Sequence, residues 1–271
     1  MVRSSGSRER ITPSRCWSAE TAGPPGLTDG DEAERALAKP GRIAQDLLAS
    51  PEISIDPKVP RLASLTRDEL NQASAVTLGH YQAGAGSFWR GTCDHDVSQN
   101  VDALLRHLPG EAPQTILDLG CGPGRDLVTF RDLGHEAIGL DGAEAFVRMA
   151  RELSGCEVLH QDFLALDLPG RLHGIFANAS LFHVPSQELP RVLRELWTSL
   201  APGGVLFSSN PHGPNQEGWS GDRYCCYLDL DAWRGFMTAA GFVELEHYYR
   251  PTGQPRHRQP WLASVWRRPP G

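Results

Sequence analysis

A short glycine-rich stretch at residues 115–126, TILDLGCGPGRD, constrains the fold of this chain more than any other feature. The apolar run at 115–119 predicts a buried strand, and the apolar repeat after the glycines predicts a helix. Glycine has no Cβ, so Gly120, Gly122 and Gly124 allow a sharp turn and the close approach of a ligand. Strand, glycine turn and helix together predict the opening of a βαβ unit of the nucleotide-binding type.

The acid Asp118 stands at the end of this predicted strand. A buried carboxylate is costly without a partner, and a ligand cation is one partner that would satisfy it. The glycine spacing also differs from the dinucleotide fingerprint G-x-G-x-x-G, because the third glycine comes too early. A glycine-rich turn that merely joins a strand to a helix is the alternative interpretation.

Composition limits the function classes that are open to the chain. Its 271 residues allow one large domain, or one domain with an extension. The net charge of −7 argues against a general nucleic-acid binder, and no apolar run approaches the roughly 20 residues of a membrane span. The six cysteines are scattered without a C-x-x-C pair, which is typical of a reducing cytoplasm rather than of a zinc site or a disulfide framework.

The βαβ rhythm continues after the glycine turn. Apolar runs at 137–140, 157–160, 172–177 and 205–209 predict further strands, with amphipathic helices between them. The last two predicted strands, 242–249 and 261–267, follow each other without a helix and predict a terminal hairpin. Upstream, Thr66 and Glu69 have the spacing of a capping box, which predicts a helix that reaches Tyr81. Residues 32–50 predict a helix interrupted near Pro40.

Four motifs in this order resemble the class I S-adenosylmethionine-dependent methyltransferases: D-x-G-x-G-x-G at 118–124, Asp141, Asp162, and L-x-P-G-G at 200–204. The resemblance covers residues 75–267. It implies an α/β, Rossmann-like doubly wound sheet, mostly parallel with an antiparallel C-terminal strand, in a three-layer αβα sandwich. We therefore expect a flexible extension at 1–60, N-terminal helices that cover the cofactor site at 61–110, and the S-adenosylmethionine-binding core at 111–271. A transit peptide or a misassigned start would also explain residues 1–60.

The resemblance assigns the cofactor contacts. Asp141 lies 21 residues beyond Gly120, where an acid is placed to accept both ribose hydroxyls, although it would also serve as a helix N-cap. Asp162 resembles the acid that binds the adenine amino group, with a helix cap at 163–166 as the alternative. The predicted cofactor-binding residues are Arg90, Asp118, Gly120, Cys121, Gly122, Gly124, Asp141, Gly142, Gln161, Asp162, Phe163, Asn178 and Ala179.

The predicted acceptor site follows the fourth strand, because ligands of such sheets lie beyond the carboxyl ends of the strands. His183 is either a general base, a substrate hydrogen-bond partner, or a residue that orders its loop; a base would make the rate rise with pH near 6.5. Tyr81 begins a segment, 81–90, that partly matches one that folds over the cofactor in many of these enzymes; a surface helix is the alternative. Arg223 and Tyr224 lie in a polar insertion that we predict selects the substrate.

The sequence therefore predicts an enzyme that transfers a methyl group from S-adenosylmethionine to a small-molecule acceptor. It predicts no metal, no nucleic acid, no membrane partner, a cytoplasmic location, and a monomer or homodimer. An NAD-dependent oxidoreductase and a catalytically silent S-adenosylmethionine-binding module remain alternatives. The acceptor atom stays open among oxygen, nitrogen, sulfur and carbon.

Overall fold

Strands and helices alternate from residue 115 onward in the computed structural model, which describes residues 62–270. The predictions for residues 1–60, including the helix at 32–50, lie outside the described residues. The helices are α1 (Arg67–Thr92), α2 (Ser98–Leu105), α3 (Arg125–Asp132), α4 (Glu144–Ser154), α5 (Leu189–Ser199) and α6 (Leu230–Ala239). The strands are β1 (Thr115–Leu119), β2 (Glu136–Asp141), β3 (Glu157–His160), β4 (Leu172–Asn178), β5 (Leu200–Pro211), β6 (Gln216–Ser220), β7 (Arg223–Tyr227), β8 (Val243–Arg250) and β9 (Trp261–Arg267).

The central sheet has seven strands within the described range, in the order β3-β2-β1-β4-β5-β9-β8. Strands β1 to β5 pair in parallel, whereas β9 is antiparallel to both β5 and β8. The chain reverses its lateral direction after β3 and returns past β1 to β4, so β1 and β4 flank the switch point where ligands of such sheets bind. The predicted doubly wound sheet with an antiparallel C-terminal strand is confirmed.

Both faces of the central sheet are buried, and successive side chains of a strand belong to different hydrophobic clusters. In β1, Ile116 packs with Leu104 of α2, whereas its neighbour Leu117 belongs to the cluster that holds Leu196 of α5 and Phe236 of α6. All of these side chains are almost completely inaccessible to solvent. Because successive residues of a strand point to opposite faces, helices cover both sides and form the three-layer arrangement.

Helix α1 begins as the sequence predicts but ends later. The Thr66 amide donates to Glu69 Oε2 over 2.7 Å, and the Glu69 amide donates to Thr66 Oγ1 over 3.3 Å, which completes the capping box. The helix then continues past Tyr81 to Thr92. Glycines within it each cost about 1 kcal/mol relative to alanine, so the helix depends on tertiary packing, to which Ala85 contributes in a cluster with Phe146 of α4. None of the described helices is long and apolar enough to cross a bilayer.

The predicted insertion at 210–227 is ordered as strands rather than as an open loop. Strand β5 runs on to Pro211, and β6 pairs antiparallel with β7 in a hairpin that packs against α1. Ser186, which precedes α5, donates its amide and its hydroxyl to Glu217 of β6, both over 2.7 Å. The helix α5 begins at Leu189.

Candidate functional site

A cavity of about 640 Å³ opens at the carboxyl ends of β1 to β4, beneath α1 and the β6–β7 hairpin. One part, the glycine-turn half, is lined by Gly120, Gly122, Asp141, Asp162 and Phe163. The other part, the arginine half, is lined by Phe182, His183, Arg223, Arg250 and Trp261. No group of three or more His, Cys, Asp or Glu side chains within residues 62–270 is arranged to hold a metal ion.

The three glycines of the turn differ in what they do. All three have positive φ, at +77° for Gly120, +52° for Gly122 and +93° for Gly124. A Cβ on Gly124 would lie 2.7 Å from the Cα of Ala150, so this glycine serves the packing of α3 on α4 and does not line the cavity. A Cβ on Gly122 would meet its nearest neighbour, Phe88, only at 3.7 Å. Close approach of a ligand is therefore open at Gly122, whereas the missing Cβ of Gly124 makes room for α4.

The carboxylate of Asp141 lies at the end of β2, against the glycine turn. It accepts the amide of Gly122 over 2.9 Å and the amide of Ala143 over 2.8 Å, and it also lines the cavity. Burial raises its pKa to about 6, although these amide donors pull the value down. The Gly142 amide is a third backbone donor to this carboxylate. Because a carboxylate has about four lone-pair sites, it can still accept from a ligand's hydroxyl group. Asp141 therefore lines the cavity and also caps the turn before α4, so both of the interpretations given to it are compatible with its position.

Asp162 occupies the end of β3 and joins α1 to the sheet. Its carboxylate accepts the hydroxyl of Ser74 and the amide of Leu164, the latter over 2.8 Å. The alternative of a helix cap is wrong, because residues 163–165 form a turn. The Gln161 side chain donates from Nε2 to the Asp167 carbonyl over 2.9 Å and accepts the Asp167 amide at Oε1 over 2.8 Å. These two hydrogen bonds hold the same loop.

Asp118 lies beneath the glycine turn rather than in the lining of the cavity. It is buried, and its Oδ2 has no hydrogen-bond partner within the described residues. Burial, followed by the charge of Asp126, raises its pKa well above the usual range. Arg125 is bound to Asp126 by two hydrogen bonds of 2.8 and 3.0 Å and to the Thr92 carbonyl at 2.8 Å. No ligand contact of Asp118 follows from this position.

His183 is held in one tautomer by its neighbours in the arginine half. Its Nδ1 lies 2.8 Å from the carbonyl oxygen of Tyr224, which can only accept, so Nδ1 carries the proton. Its Nε2 lies 2.8 Å from the Tyr81 hydroxyl and accepts from it. Burial lowers the pKa of His183 to about 4. The step near pH 6.5 that we predict for a general base at His183 would move to lower pH with this lowered pKa. Tyr224 contributes its carbonyl, since its side chain lies outside the cavity lining.

Two arginines of the cavity lining form no salt bridge within residues 62–270. The hydrogen bonds of Ser98 and, to a lesser extent, the charge of Arg250 lower the pKa of Asp96. Arg223 forms a side-chain hydrogen bond with Tyr81, whose pKa is raised by burial and pulled back by this guanidinium. Arg250 donates one nitrogen to the Asp96 carbonyl over 3.0 Å, while its buried Nε has no partner within residues 62–270. Neither guanidinium forms an ion pair with any carboxylate of the described chain. Trp261 closes this end, edge-on to Phe182 at 6.5 Å between ring centroids.

The cavity brings together most of the predicted residues, and the structure adds several that sequence reasoning missed. Arg90 lies outside, because its exposed guanidinium turns back to the Ser87 hydroxyl at 3.0 Å. The predicted residues in the lining are Tyr81, Gly120, Cys121, Gly122, Asp141, Gly142, Gln161, Asp162, Phe163, Asn178, Ala179, His183 and Arg223. The missed ones include Ser74, Thr77, Leu78, Ser180, Arg250 and Trp261. Ser74, Thr77, Leu78 and Tyr81 share one face of α1 at helical spacing, a signal that was available in the sequence.

Comparisons with known proteins agree with this geometry. Residues 116–204 match a family model described as a methyltransferase domain. A relative from Paracidovorax citrulli (strain AAC00-1), named trans-aconitate 2-methyltransferase, is 37% identical over 113 residues, 40% of this chain and 43% of that protein. The chain thus matches less than half the length of this relative.

Two solved structures share the fold. The Burkholderia thailandensis 1,6-didemethyltoxoflavin-N1-methyltransferase, solved with 1,6-didemethyltoxoflavin and S-adenosylhomocysteine, is 20% identical with a TM-score of 0.63 and covers 76% of this chain and 92% of its own. A structure titled [4+2]-cyclase SpnF is 16% identical with a TM-score of 0.57 and covers 79% of this chain and 99% of its own. At these identities the likeness shows the fold alone.

Proposed function

Because residues 116–204 belong to the methyltransferase domain family, within a class I S-adenosylmethionine-dependent methyltransferase fold, we propose that this protein transfers a methyl group from S-adenosylmethionine to a small-molecule acceptor. The observation that carries the proposal is the buried Asp141 carboxylate, which lines the cavity beside the open Gly122. A related protein named for a small-molecule acceptor supports the same class of reaction.

The residues present fit this cofactor. Asp141 lines the cavity and can still accept from the ribose, and Gly122 leaves space for the methionine part. Asp162 and Phe163 would hold the adenine, the acid already positioned by Ser74 of α1. When bound, the cofactor supplies a methyl group that its sulfonium has already activated. The task of the protein is then to align the acceptor with the methyl group and to exclude water.

Aromatic side chains surround the meeting point of the two halves. Tyr81 contacts Phe88 and Phe146 at ring-centroid distances of 5.8 and 5.9 Å, and His183 at 5.4 Å. These rings reach across the cavity from α1 to the turn after β4. Such a wall removes water from the reacting atoms, which is what a displacement on a sulfonium requires.

Isothermal titration calorimetry separates this proposal from its alternatives. We expect the protein to bind S-adenosylhomocysteine and to show no heat with NAD; NAD binding without S-adenosylhomocysteine binding would contradict the proposal in favour of an oxidoreductase. A silent S-adenosylmethionine-binding module is the second alternative, because the fold and the binding residues do not fix the chemistry. Transfer of a labelled methyl group to acceptors in a cell extract distinguishes turnover from binding alone.

The remaining sequence predictions are part of the same proposal. We propose that residues 61–110 cover the cofactor site, supported by the cavity positions of Ser74 and Tyr81. We also propose a cytoplasmic monomer or homodimer that does not bind nucleic acid, supported by the net charge of −7. Light scattering after size-exclusion chromatography and a filter-binding measurement with DNA and RNA test these points.

A further inference from the structure

A chain of three polar side chains runs from strand β8 through helix α2 to the cavity. Tyr248 donates its hydroxyl to Asn100 Oδ1 over 2.9 Å, the nearer of two acceptors, since the Gln99 carbonyl lies at 3.3 Å. Asn100 donates from Nδ2 to Asn178 Oδ1, also over 2.9 Å. Of these three side chains only Asn178 lines the cavity, so Tyr248 and Asn100 reach a ligand only through it.

This chain determines which end of the Asn178 amide faces the cavity. Asn100 is inaccessible to solvent, and buried amide groups are hydrogen-bonded. Because Asn100 Oδ1 accepts the Tyr248 hydroxyl, the NH₂ group of Asn100 points to Asn178, which presents its own carbonyl oxygen in return. The NH₂ group of Asn178 is therefore left as a donor for a ligand in the cavity.

The backbone beside this amide is fixed as well. Asn178 is the last residue of β4, and the next residue, Ala179, has a φ of +62°, in the left-handed region that residues with a side chain seldom adopt. The Ala179 amide donates to the Ser209 carbonyl of β5 over 2.8 Å and holds this conformation. Such strain persists only where the surrounding structure enforces it, and it concentrates at ligand sites. The backbone and the amide of Asn178 are therefore both positioned by the protein itself.

Asn178 stands beside the glycine turn. Asp118 of β1 pairs with Phe176 of β4, so Gly120 and Asn178, each two residues further, end adjacent strands. Ser180 confirms this proximity, because a Cβ on Gly120 would lie 2.5 Å from its own Cβ. The proposed function assigns the space at this turn to the methionine part of the cofactor, which carries a carboxylate and an ammonium group. The carboxylate only accepts hydrogen bonds and the ammonium group only donates them, so the NH₂ group of Asn178 complements the carboxylate.

We propose, on the basis of the proposed function, that Asn178 donates to the carboxylate of the cofactor's methionine part, and that Asn100 and Tyr248 are positioning residues that keep its NH₂ group turned to that carboxylate. An Asn178 amide turned the other way would place its carbonyl oxygen against the carboxylate, and two groups that only accept repel each other. The hydroxyl on β8 thus supports cofactor affinity without touching the cofactor.

Two ligands isolate the carboxylate in calorimetry with the full chain. S-adenosylhomocysteine carries the amino-acid part of the cofactor, whereas 5′-methylthioadenosine lacks it. Asn178→Asp keeps an oxygen that accepts from Asn100 but has no NH₂ group. Its Kd for S-adenosylhomocysteine should rise about 10- to 100-fold, the range for a hydrogen bond to a charged group, and its Kd for 5′-methylthioadenosine should stay within about twofold. Equal losses for both ligands, or no loss, would overturn the proposal; a wild type that binds neither ligand would contradict the proposed function instead.

Two variants outside the cavity test the positioning. Asn100→Asp offers only acceptors to Asn178, which has to turn its NH₂ group inward, so the Kd for S-adenosylhomocysteine should rise about 10- to 100-fold here too. Tyr248→Phe leaves the Asn100 amide free to reverse and should raise this Kd about fivefold, the worth of one neutral hydrogen bond. Both should leave the Kd for 5′-methylthioadenosine within about twofold of the wild type.

Tyr249→Phe is the matched control, because it removes a hydroxyl from the next residue of β8. Tyr249 lies outside the cavity lining, with its ring centroid 3.4 Å from the Arg256 guanidinium, so this variant should change neither Kd. Melting curves verify the fold of each variant. If Asn100→Asp does not fold, Tyr248→Phe decides alone, since it lies on the edge strand of the sheet. An unchanged Kd for S-adenosylhomocysteine in the folded positioning variants would overturn the role of Asn100 and Tyr248.

Discussion

The two halves of the cavity are assembled in different ways. The glycine-turn half draws its residues from three strand ends between residues 118 and 163, each next to a strand of the parallel sheet. The arginine half gathers Tyr81 from α1, His183 from the turn after β4, Arg223 from the hairpin, and Trp261 from β9. The first half follows from local sequence, whereas the second exists only once distant elements have packed together.

The halves also differ in how their charges are satisfied. In the glycine-turn half the acids are bonded to the chain itself, as Asp141 is to Gly122 and Ala143. In the arginine half, neither Arg223 nor Arg250 forms a salt bridge within residues 62–270, and the carboxylate of Asp96 acts on Arg250 only through its charge. The comparison contrasts acids that are hydrogen-bonded to the chain itself with guanidinium groups that keep donors directed to the cavity.

The largest expected effect is on the glycine-turn half. Asp141→Ala should weaken S-adenosylhomocysteine binding by about 2–4 kcal/mol, because both ribose hydroxyls lose a charged partner. Contrary to what its place at a strand end suggests, the residue is buried, and its loss also leaves the amides of Gly122 and Ala143 unsatisfied. A lower melting temperature is therefore expected as well. Calorimetry and thermal unfolding measure the two effects separately.

Asp141→Asn is the matched variant, because its amide oxygen still accepts one backbone amide. It should retain more stability than Asp141→Ala while losing most of the charge-dependent affinity. An Asn variant that binds S-adenosylhomocysteine as tightly as the wild type would contradict the ribose assignment and remove the basis for assigning the cofactor to this half.

The next effect separates packing from ligand space within the same turn. Gly124→Ala should lower the free energy of unfolding by about 3 kcal/mol, since it adds left-handed strain and a clash with Ala150. Gly122→Ala has room for its Cβ and should cost only about 1–2 kcal/mol of strain. Its affinity for S-adenosylhomocysteine should suffer instead. Equal losses of stability in both variants would show that the two glycines do not divide these roles.

The sequence predicts the glycine-turn half well because its signals are local. The bounds of β1 and β3 agree with the prediction, and Asp141 and Asp162 stand at strand ends as their position in the βαβ rhythm indicates. Parallel strands buried on both faces give continuous apolar runs, and each run ends where the cavity begins. The sequence did not indicate that Gly124 packs against α4. The glycine turn itself nevertheless lies between β1 and α3, as predicted.

The arginine half was only partly predictable because its residues meet through tertiary contacts. The partners of His183 are 102 residues away at Tyr81 and 41 residues away at Tyr224, and no short pattern links them. The hairpin turns through the two residues Gly221 and Asp222, a pair typical of tight hairpin turns, so this signal was available in the sequence although the insertion was predicted as a loop. Arg250 is the last residue of β8, and nothing in the neighbouring sequence marks it as facing a cavity.

The pH dependence of cofactor binding sharpens the role of Asp141. Burial raises its pKa to about 6, and the ribose hydroxyls need the ionised carboxylate. Affinity for S-adenosylhomocysteine should therefore fall about tenfold for each pH unit below 6. Stability has the opposite sign: because the folded pKa lies above the unfolded value of 3.8, this carboxyl's contribution is present below pH 3.8 and is lost as the pH rises to about 6.

Asp141→Asn serves as the control for this profile, since every other titrating group is retained. Its affinity should be lower at neutral pH and nearly flat between pH 5 and 7. The same slope in the variant and the wild type would assign the pH dependence to another group, and a flat wild-type profile would contradict a raised pKa at Asp141.

The smallest expected effect concerns His183 and tests whether the arginine half works without a base. His183→Ala should raise the KM of the acceptor about tenfold, because Tyr81 and the hairpin each lose a hydrogen bond worth about 1 kcal/mol. The kcat should change by less than about threefold, since no proton transfer is lost. With its pKa lowered to about 4, the wild type should show no histidine step between pH 6 and 9.

Tyr81→Phe removes only the hydroxyl that His183 accepts, so it isolates this hydrogen bond. If both residues act through the same bond, the double variant should lose less than the sum of the single losses. A fall in kcat of about 100-fold in His183→Ala, together with a wild-type pH step that the variant lacks, would mean that His183 is a general base. The acceptor would then carry a proton that has to be removed. The arginine half would contain a general base, contrary to the expectation stated above.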